Sequence, residues 1–374
     1  MTKEGTVTDM KEQIDIVKKF NILGEPIYSE VCGYGHINRT YIITCGLESG
    51  AEMKYVLQRI NISIFKKPAE LMENVKKVTE FLREKIRKAG GDEDRETMRI
   101  IQTKDGKDFY IDEENEYWRV YDYITDSISY QSVERPILFY NSAVAFGKFQ
   151  RLLADFPADQ LHETILNFHN TESRLCDFKN SVSENLSGRA DKVADEIKFV
   201  LDRSDKCDYI TSRIKSGELP LRVTHNDTKL NNIMIDAKTD EGVCVIDLDT
   251  VMPGSVLYDF GDAIRFGASS AAEDERDLDK VFVKLDLFEE FAKGFIKGLG
   301  GSLTEEEILA LPMGAYVITF ETGIRFLGDY INGDTYFATH RENQNLDRCR
   351  TQFKLVTDME LKMDEMNAIV RKYL

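Results

Sequence analysis

The chain has 374 residues, with 66 aspartates and glutamates against 49 lysines and arginines, which gives a formal net charge of −17. This acidic balance argues against nucleic acid or an anionic membrane as a partner, and no apolar run approaches the ~20 residues that span a bilayer. An apolar content of 42% is enough to bury substantial cores, and the length predicts two domains or two large lobes.

The amino terminus and the cysteines both predict a cytoplasmic protein. The first residues, Met1-Thr-Lys-Glu-Gly5, lack the apolar region of a secretory signal. The six cysteines are scattered, without a Cys-x-x-Cys pair or a nearby pair of histidines, so zinc is not expected. Cys45 and Cys244 lie in apolar, strand-like runs and are predicted to be buried, reduced thiols.

The first third of the chain predicts a small β-rich lobe with one long helix. Pro68–Ala89 has apolar residues at helical spacing and is followed by two glycines, whereas Lys104–Lys107 is typical of a hairpin turn. The predicted strands are Ile27–Cys32, Thr40–Cys45, Lys54–Ile60, Met98–Thr103, Asp108–Asp112 and Tyr117–Ile124.

A glycine-containing segment separates the first two predicted strands. Gly33 and Gly35 stand where a phosphate-covering loop is expected, because backbone amides beside glycine can approach phosphate oxygens closely. Glycine-rich phosphate loops commonly have a third glycine further along, and Asn38 stands at that position here. An ordinary β-turn is the alternative interpretation of this segment.

The rest of the chain is predicted to be mostly helical. We therefore expect an α+β fold, with residues 1–124 as a small β-rich N-terminal lobe and residues 125–374 as a larger C-terminal lobe. The predicted helices include Asn141–Phe156, Glu172–Asn185, Asp191–Lys206, Glu305–Leu311 and Ala315–Tyr330.

The most informative motif is a polar loop followed by a predicted hairpin. The loop provides Asp227, and Asn232 follows five residues later. If the hairpin turns between Thr239 and Asp240, Asn232 lies opposite Asp247 at roughly 5 Å. Metal-dependent phosphoryl transfer requires a carboxylate that takes a hydroxyl proton and oxygen ligands that hold magnesium. The alternative is a hairpin whose polar ends are simply solvated.

The segments His225-Asn-Asp227…Asn232 and Ile246-Asp-Leu-Asp249 resemble the catalytic and metal-binding motifs of the aminoglycoside phosphotransferase and choline kinase superfamily. The resemblance implies a bilobal protein-kinase-like fold, with ATP and Mg²⁺ as cofactors. The usual loop reads His-Gly-Asp, so Asn226 is a departure from the pattern, while the spacing to the later asparagine is kept.

The resemblance also implies a role for each residue of these motifs. Asp227 resembles the catalytic base that accepts the proton of the acceptor hydroxyl, and Asp247 resembles the first residue of the kinase Asp-Phe-Gly motif. His225 and Asp259 are expected to support the catalytic loop. The implied magnesium ligands are Asn232 and Asp247, with Asp249 as an additional one.

The same resemblance predicts contacts to ATP in the N-terminal lobe. Strand three of kinases carries a phosphate-binding lysine, but here Gln58 occupies that place and Arg59 follows on the opposite face. Either Gln58 forms hydrogen bonds where an ammonium usually pairs, or a bulge turns Arg59 inward. The predicted ATP-binding residues are Gly33, Gly35, Gln58 and, at the hinge between the lobes, Asp122, Tyr123 and Ile124.

Several segments resemble the N-acetylhexosamine 1-kinases of this superfamily, among them residues 33–41, 246–269 and 323–339. Sugar recognition needs hydrogen-bonding groups and an aromatic face, and the last segment offers both. Asp262 and Arg265 stand three residues apart on a predicted helix, so pairing with each other is an alternative to contact with a sugar. The predicted acceptor-binding residues are His36, Asp262, Arg325 and Tyr336.

These patterns predict an ATP- and magnesium-dependent kinase that acts on the anomeric 1-hydroxyl of an N-acetylhexosamine. The expected partners are the nucleotide and the sugar, and the expected state is a monomer or a weak homodimer. One alternative is a kinase of the same superfamily that acts on choline, an aminoglycoside, another sugar or an amino alcohol. The other is a nucleotide-binding pseudokinase, which Gln58 and Asn226 would suit, although intact Asp227, Asn232 and Asp247 argue against it.

Overall fold

The structure is a computed structural model that describes residues 3–32 and 37–374 of the chain. The helices are α1 (Lys3–Val17), α2 (Pro68–Lys88), α3 (Pro136–Leu152), α4 (Thr171–Glu184), α5 (Ala194–Asp202), α6 (Tyr209–Ser216), α7 (Val256–Gly267), α8 (Leu285–Leu299), α9 (Glu305–Ile331) and α10 (Gln344–Arg371). The strands are β1 (Glu25–Val31), β2 (Arg39–Gly46), β3 (Glu52–Ile60), β4 (Ile100–Ile101), β5 (Tyr110–Ile111), β6 (Tyr117–Asp122), β7 (Ser127–Ile128), β8 (Arg222–Thr224), β9 (Ile233–Asp236), β10 (Gly242–Val245) and β11 (Met252–Gly254).

The chain forms two compact units, which we call the N-terminal unit and the C-terminal unit. The N-terminal unit comprises Met1–Ser127 and Val243–Val251. The C-terminal unit comprises Ile128–Gly242 and Met252–Leu374. The segment 243–251 therefore belongs to the N-terminal unit although the chain on both sides of it belongs to the C-terminal unit. Within the described residues, no helix combines the length and apolar character needed to cross a bilayer.

The N-terminal unit is built on one antiparallel sheet with the strand order β1–β2–β3–β6–β4, in which β5 also pairs with β6. Successive side chains of a strand point to opposite faces of its sheet. One face buries an apolar cluster that contains Leu57, Val120 and, from α1, Val17. The other face carries Gln58 on β3 directly opposite Arg119 on β6. Two neighbouring polar side chains are thus placed on the face away from the apolar cluster.

Two helices belong to the N-terminal unit. In α2, the apolar residues at helical spacing are buried, among them Leu71, Val75 and Leu82, as the sequence pattern predicts. Helix α1 is not predicted by the sequence, because its apolar residues do not form a regular stripe. It nevertheless contributes Ile16 and Val17 to the apolar cluster.

The C-terminal unit is mostly helical, and its helices approach one another closely at glycines. A Cβ atom on Gly147 of α3 would lie 2.4 Å from the carbonyl oxygen of Phe295 and 2.9 Å from Cα of Gly298, both on α8. Because real Cβ atoms essentially never come so close, glycine is required where these two helices meet. The close contact of α3 and α8 is therefore part of the packed core of this unit.

Helix α9 corrects the prediction of two separate helices over Glu305–Leu311 and Ala315–Tyr330. The structure has one helix of 27 residues that continues through Pro312. A capping box at Thr304 and Glu307 fixes its start, and nearly every residue from Ala310 to Ile331 is buried. Burial along the whole length therefore outweighs the single backbone hydrogen bond that proline cannot donate. The predicted helix Asp191–Lys206 is also shorter in the structure, where α5 covers Ala194–Asp202.

Candidate functional site

The loop that follows β8 is held by backbone hydrogen bonds to a buried carboxylate. Asp259 of α7 accepts the amide of His225 at 3.0 Å and the amide of Asn226 at 2.7 Å, and the Gln150 side chain also donates to it. Burial raises the pKa of Asp259 above its ordinary value, although His225 and the two amides oppose this effect. Asp259 thus lies where the sequence motif expects the support of the catalytic loop.

Asn226 adopts the left-handed backbone conformation, with φ of 67°. Glycine adopts this conformation freely, and asparagine is one of the few other residues that tolerate it. The replacement of the usual glycine by Asn226 therefore preserves the turn that the loop requires. The asparagine side chain also accepts a hydrogen bond from the Thr224 hydroxyl at 2.9 Å, which glycine could not do.

Asp227 presents a carboxylate whose two oxygens have different partners. Oδ1 lies 2.8 Å from Nζ of Lys229, and Oδ2 accepts a hydrogen bond from Nδ2 of Asn232 at 3.0 Å. Burial works against ionisation, but the Lys229 ammonium, His225 and Arg265 hold the pKa of Asp227 below its ordinary value. The side chain is therefore ionised at neutral pH and fixed in direction.

His225 is fully buried beneath this carboxylate. Its Nδ1 accepts the backbone amide of Asp227 at 3.3 Å, and its ring meets the rings of Phe146 and Phe149 edge-on. These contacts place His225 as a brace of the loop.

Asp262 and Arg265 form an ion pair within α7. Nη2 of Arg265 lies 2.8 Å from the Asp262 carboxylate, and its Nη1 is 2.8 Å from Glu273. Asp262 also accepts the backbone amide of Thr228 at 2.9 Å. The structure therefore shows the pairing that the sequence left open, and the contact of Asp262 with an acceptor remains a prediction.

A second buried pair, His169 and Glu321, contacts the loop from the other side. Nδ1 of His169 lies 2.8 Å from Glu321, and Nε2 lies 3.2 Å from the carbonyl oxygen of Asn226. Burial opposes the charge on Glu321, but His169, Arg325 and the Thr171 hydroxyl keep its pKa below the ordinary value. Because a carbonyl oxygen only accepts, Nε2 of His169 is the donor in its contact with Asn226. Sequence analysis missed this pair because its members are 152 residues apart and follow no motif.

Arg325 lies among three aromatic rings. Its guanidinium carbon is 5.1 Å from the centre of the Phe168 ring, 5.9 Å from Tyr336 and 5.5 Å from Phe337. Tyr336 is 54% exposed, and its backbone amide is fixed by a hydrogen bond to Asp329 at 2.8 Å. The structure thus brings two predicted acceptor-binding residues, Arg325 and Tyr336, together into one aromatic and cationic surface.

In the N-terminal unit, the structure resolves the question of strand three. Gln58 lies on the same face as Arg119, and its Oε1 accepts hydrogen bonds from Nε at 3.0 Å and from Nη2 at 2.9 Å of that arginine. Arg59 points to the opposite face, where it pairs with Glu116 at 3.4 Å and lies over the Trp118 ring. Without a bulge in β3 at this point, Arg59 does not turn towards the Gln58 face.

Asp247 and Asp249 differ in their surroundings. Asp247 has φ of 60°, a conformation that is uncommon for residues other than glycine and often marks a functional position. Asp249 is buried, with Oδ1 2.6 Å from Nη1 of Arg119 and Oδ2 2.6 Å from Nδ2 of Asn38. Asp249, one of the two predicted metal ligands in this segment, thus forms an ion pair with Arg119 and accepts a hydrogen bond from Asn38.

The turn between β9 and β10 is closed by the amide of Asp236, which donates to the Glu241 carbonyl oxygen at 2.8 Å. This bond centres the turn between Lys238 and Thr239, one residue earlier than the predicted centre. The predicted register, in which Asn232 lies directly opposite Asp247, depended on a centre between Thr239 and Asp240 and is therefore wrong; β9 begins at Ile233 and β10 ends at Val245.

The predicted hinge residues have contacts of their own. The Asp122 carboxylate pairs with Arg99, the Tyr123 ring lies 5.8 Å from Nζ of Lys54, and the Ile124 carbonyl accepts the hydroxyl of Ser127 at 2.8 Å. Their contacts with adenine remain a prediction. Three further predicted residues, Gly33, Gly35 and His36, lie outside the described residues.

The chain has a mixed α+β fold, and its buried loop presents an aspartate beside a lysine and an asparagine. These are the features of a phosphotransferase with a protein-kinase-like fold. Residues 30–295 match the family model described as "Phosphotransferase enzyme family". Because this match covers most of the chain, the protein belongs to that family.

Similar solved structures confirm the predicted fold class. An aminoglycoside phosphotransferase from Alicyclobacillus acidocaldarius is 13% identical, with a TM-score of 0.54, over 96% of this chain and 95% of that chain. A spectinomycin phosphotransferase, in complex with ADP and spectinomycin, is 12% identical, with a TM-score of 0.57, over 95% and 98%. An ethanolamine kinase from Plasmodium vivax is 15% identical, with a TM-score of 0.51, over 92% and 84%. At these identities the likeness shows a shared protein-kinase-like fold with a small β-rich lobe and a larger helical lobe.

Proposed function

We propose that this protein is an ATP- and magnesium-dependent kinase that phosphorylates the anomeric 1-hydroxyl of an N-acetylhexosamine. The observation that carries the proposal is the Asp227 carboxylate, which is ionised and held between Lys229 and Asn232. A fixed carboxylate on a loop is what a kinase uses to orient an acceptor hydroxyl and to accept its proton. In the solved spectinomycin phosphotransferase, which has the same fold, ADP and the acceptor are bound together.

The donor groups of the chain suit a hard divalent cation. Nδ2 of Asn232 donates to the carbonyl oxygen of Asp227 at 2.8 Å and to its carboxylate at 3.0 Å, so Oδ1 is the atom of that amide that faces a cation. With Asp247, it would provide the amide and carboxylate oxygens that Mg²⁺ prefers. When bound, magnesium supplies positive charge that offsets the charge on the phosphate oxygens.

Asp227 directs the acceptor hydroxyl at the γ-phosphorus. As the new oxygen–phosphorus bond forms and the bond to the bridging oxygen of the nucleotide breaks, the hydroxyl proton passes to the carboxylate. An anomeric hydroxyl is more acidic than an ordinary alcohol, so the low pKa of Asp227 is sufficient for this step. Lys229, 2.8 Å from Asp227, adds positive charge beside the transferred group. Orientation therefore contributes more than the strength of the base.

The surroundings of Arg325 support a neutral sugar rather than a cationic acceptor. Choline would require an aromatic cage for its quaternary ammonium. Here the rings of Phe168, Tyr336 and Phe337 already face the guanidinium of Arg325, which would repel a second cation. The Asp262 carboxylate is likewise paired with Arg265, so it does not offer an aminoglycoside a free negative charge. A sugar can use the guanidinium as a donor and the exposed Tyr336 ring as a stacking face.

The test is ADP release with a panel of acceptors, followed by phosphorus NMR of the product. We expect turnover with N-acetylglucosamine or N-acetylgalactosamine and the doublet of a glycosyl 1-phosphate. The matched control is the 1-deoxy analogue of the same sugar, which should release no ADP above the background of hydrolysis. Turnover with choline or an aminoglycoside alone would contradict the sugar assignment, and no turnover with any acceptor would favour the pseudokinase.

A further inference from the structure

A row of polar side chains crosses three neighbouring strands of the N-terminal sheet. Thr40 on β2 lies opposite Gln58 on β3, which lies opposite Arg119 on β6. Gln58 joins the row, because its Nε2 donates to the Thr40 hydroxyl at 3.0 Å while its Oε1 accepts two hydrogen bonds from Arg119. These hydrogen bonds fix the orientation of the Arg119 guanidinium relative to Gln58.

Arg119 connects this row to the segment that carries Asp247. It is only 1% exposed, and its Nη1 lies 2.6 Å from Oδ1 of Asp249, two residues after Asp247. The other carboxylate oxygen of Asp249 accepts Nδ2 of Asn38, and Oδ1 of Asn38 accepts the amide of Asn61 at 3.0 Å. A buried charge that is paired and hydrogen-bonded on both sides holds its position firmly.

A second hydrogen bond fixes the same segment at Val251, two residues after Asp249. The side-chain amide of Asn74, in α2, donates to the carbonyl oxygen of Val251 at 3.1 Å. Asp247, with its left-handed backbone, therefore precedes two anchor points, Asp249 on the sheet and Val251 on α2. A backbone in a sparsely populated conformation persists when its surroundings fix it in this way.

The charges explain why a glutamine replaces the lysine of strand three. A lysine at position 58 would set an ammonium group against the guanidinium of Arg119 in place of the oxygen that now accepts its two hydrogen bonds. The neutral amide of Gln58 is therefore the partner that Arg119 requires.

The hydroxyl of Tyr121 adds an independent sign that this face binds a polar ligand. Tyr121 lies two residues after Arg119 on the same face of β6, and its buried hydroxyl has no hydrogen-bond partner among the described residues. Burial raises the pKa of Tyr121; the Arg119 guanidinium opposes this effect, while Asp249 and Asp247 add to it. Buried hydroxyl groups normally have a partner. A water of the magnesium hydration shell or a phosphate oxygen would supply it.

We propose that Arg119 is the positioning residue of the metal-binding segment: through Asp249, it holds Asp247 in the conformation that binds magnesium. This inference rests on the proposed function, because it takes Asp247 as a magnesium ligand. Asp249 then acts as the link between Arg119 and Asp247 rather than as a ligand itself. Arg119 acts without touching the nucleotide, since the guanidinium is buried and its donors face Gln58 and Asp249.

The experiment compares Arg119→Gln, Gln58→Lys and the double variant Gln58→Lys/Arg119→Gln, which returns the cation to strand three. Mn²⁺ binding in the presence of ADP, measured by electron paramagnetic resonance, is the readout besides activity. We expect Arg119→Gln and Gln58→Lys each to weaken Mn²⁺ binding at least tenfold. In Arg119→Gln, ADP binding in the absence of metal should be unchanged. The double variant should regain at least half of the lost affinity on a logarithmic scale.

Steady-state kinetics separate positioning from loss of structure. In Arg119→Gln the Mg²⁺ concentration for half-maximal rate should rise tenfold or more, while kcat at saturating Mg²⁺ falls less. Arg59→Gln is the matched control, because Arg59 lies on the neighbouring position of β3 but on the other face, paired with Glu116. It should bind Mn²⁺ like the wild type.

Because Arg119→Gln leaves Asp249 buried without its cation, the double variant Arg119→Gln/Asp249→Asn removes both charges and preserves folding. It should show the same weakened Mn²⁺ binding. Wild-type Mn²⁺ affinity in Arg119→Gln or in Arg119→Gln/Asp249→Asn would overturn this inference but not the proposed function. A loss of Mn²⁺ affinity in Arg59→Gln equal to that in Arg119→Gln would have the same consequence. A wild-type protein that binds no Mn²⁺ together with ADP would overturn the proposed function, and the inference with it.

Discussion

The substitution Glu321→Gln removes a buried charge whose partner, His169, contacts the loop at the carbonyl oxygen of Asn226. Glu321 is 0% exposed, with one oxygen 2.8 Å from His169 and the other 2.6 Å from the hydroxyl of Thr171. Hydrogen bonds to charged groups contribute about 1.5–3 kcal/mol, and breaking a buried ion pair costs about 3–5 kcal/mol. Since glutamine keeps one acceptor oxygen, we expect a loss of about 3 kcal/mol in the free energy of unfolding. For a domain of this size this corresponds to a melting temperature lower by roughly 6–12 °C.

The same substitution should reduce turnover, because His169 also donates to the carbonyl oxygen of Asn226, next to Asp227. If about 1.4 kcal/mol of the loss acts on the geometry of the loop, kcat falls about tenfold. The measurement is the initial rate of ADP release at a temperature well below the melting transition. The matched control is Glu307→Gln, which breaks another buried pair of the C-terminal unit, Glu307 with Arg222 at 2.5 Å. Arg222 lies on β8, before the loop, and its guanidinium donates to Glu307 and to the carbonyl oxygen of Ser302 rather than to Asn226.

Glu307→Gln should lower the melting temperature to a similar extent and leave kcat near the wild-type value. Equal losses of kcat in the two variants would show that stability, not the brace on Asn226, governs turnover. Wild-type kcat in Glu321→Gln would refute the brace directly. Either result would remove His169 and Glu321 from the functional site.

The stability difference also depends on pH, with a definite sign. Because the pKa of Glu321 in the folded protein is below its ordinary value of about 4.5, its contribution is fully present above that pH and is lost as the pH falls through the folded pKa. The difference in melting temperature between wild type and Glu321→Gln should therefore be largest near pH 7 and shrink below about pH 4.5. A difference that grows on acidification would contradict the ion pair.

Two further substitutions test the backbone of the C-terminal unit. Asn226→Ala should lower the free energy of unfolding by about 1–2 kcal/mol, because the φ of 67° at this position suits glycine and asparagine. Asn226→Gly should retain most of the activity. Equal denaturation midpoints for the two variants would contradict this reason. Gly147→Ala should destabilise the protein by about 1–3 kcal/mol, since a Cβ would meet the Phe295 carbonyl at 2.4 Å. The control Gly328→Ala, whose Cβ would lie 3.9 Å from its nearest neighbour, should be neutral or stabilising, and a loss equal to that of Gly147→Ala would rule out the close contact as the cause.

The catalytic loop was predictable because its residues are close together in the sequence. Asp227 and Asn232 are five residues apart, and the contact between their side chains at 3.0 Å is local. The left-handed conformation of Asn226 explains why a departure from the usual glycine does not disturb the loop. Lys229 was missed, although its position two residues after Asp227 was a signal for a contact with that carboxylate.

The contacts that brace the loop and the metal-binding segment were not predictable in the same way. His169 and Glu321 are 152 residues apart, and no local pattern of the sequence joins them. For Arg119 a signal did exist: an arginine that alternates with apolar residues in a central strand must be buried and therefore paired. Its partner, Asp249, is 130 positions away and had been interpreted as a metal ligand.

The central claim is that Asp227 takes the acceptor proton, and single-turnover phosphoryl transfer by Asp227→Asn tests it most directly. The asparagine keeps the shape of the side chain and a hydrogen-bonding oxygen but accepts no proton. With saturating ATP and N-acetylhexosamine, we expect the transfer rate to fall by at least three orders of magnitude, while ATP affinity stays within about threefold of the wild type. A transfer rate within tenfold of the wild type, at unchanged ATP affinity, would contradict the assignment of Asp227 as the base.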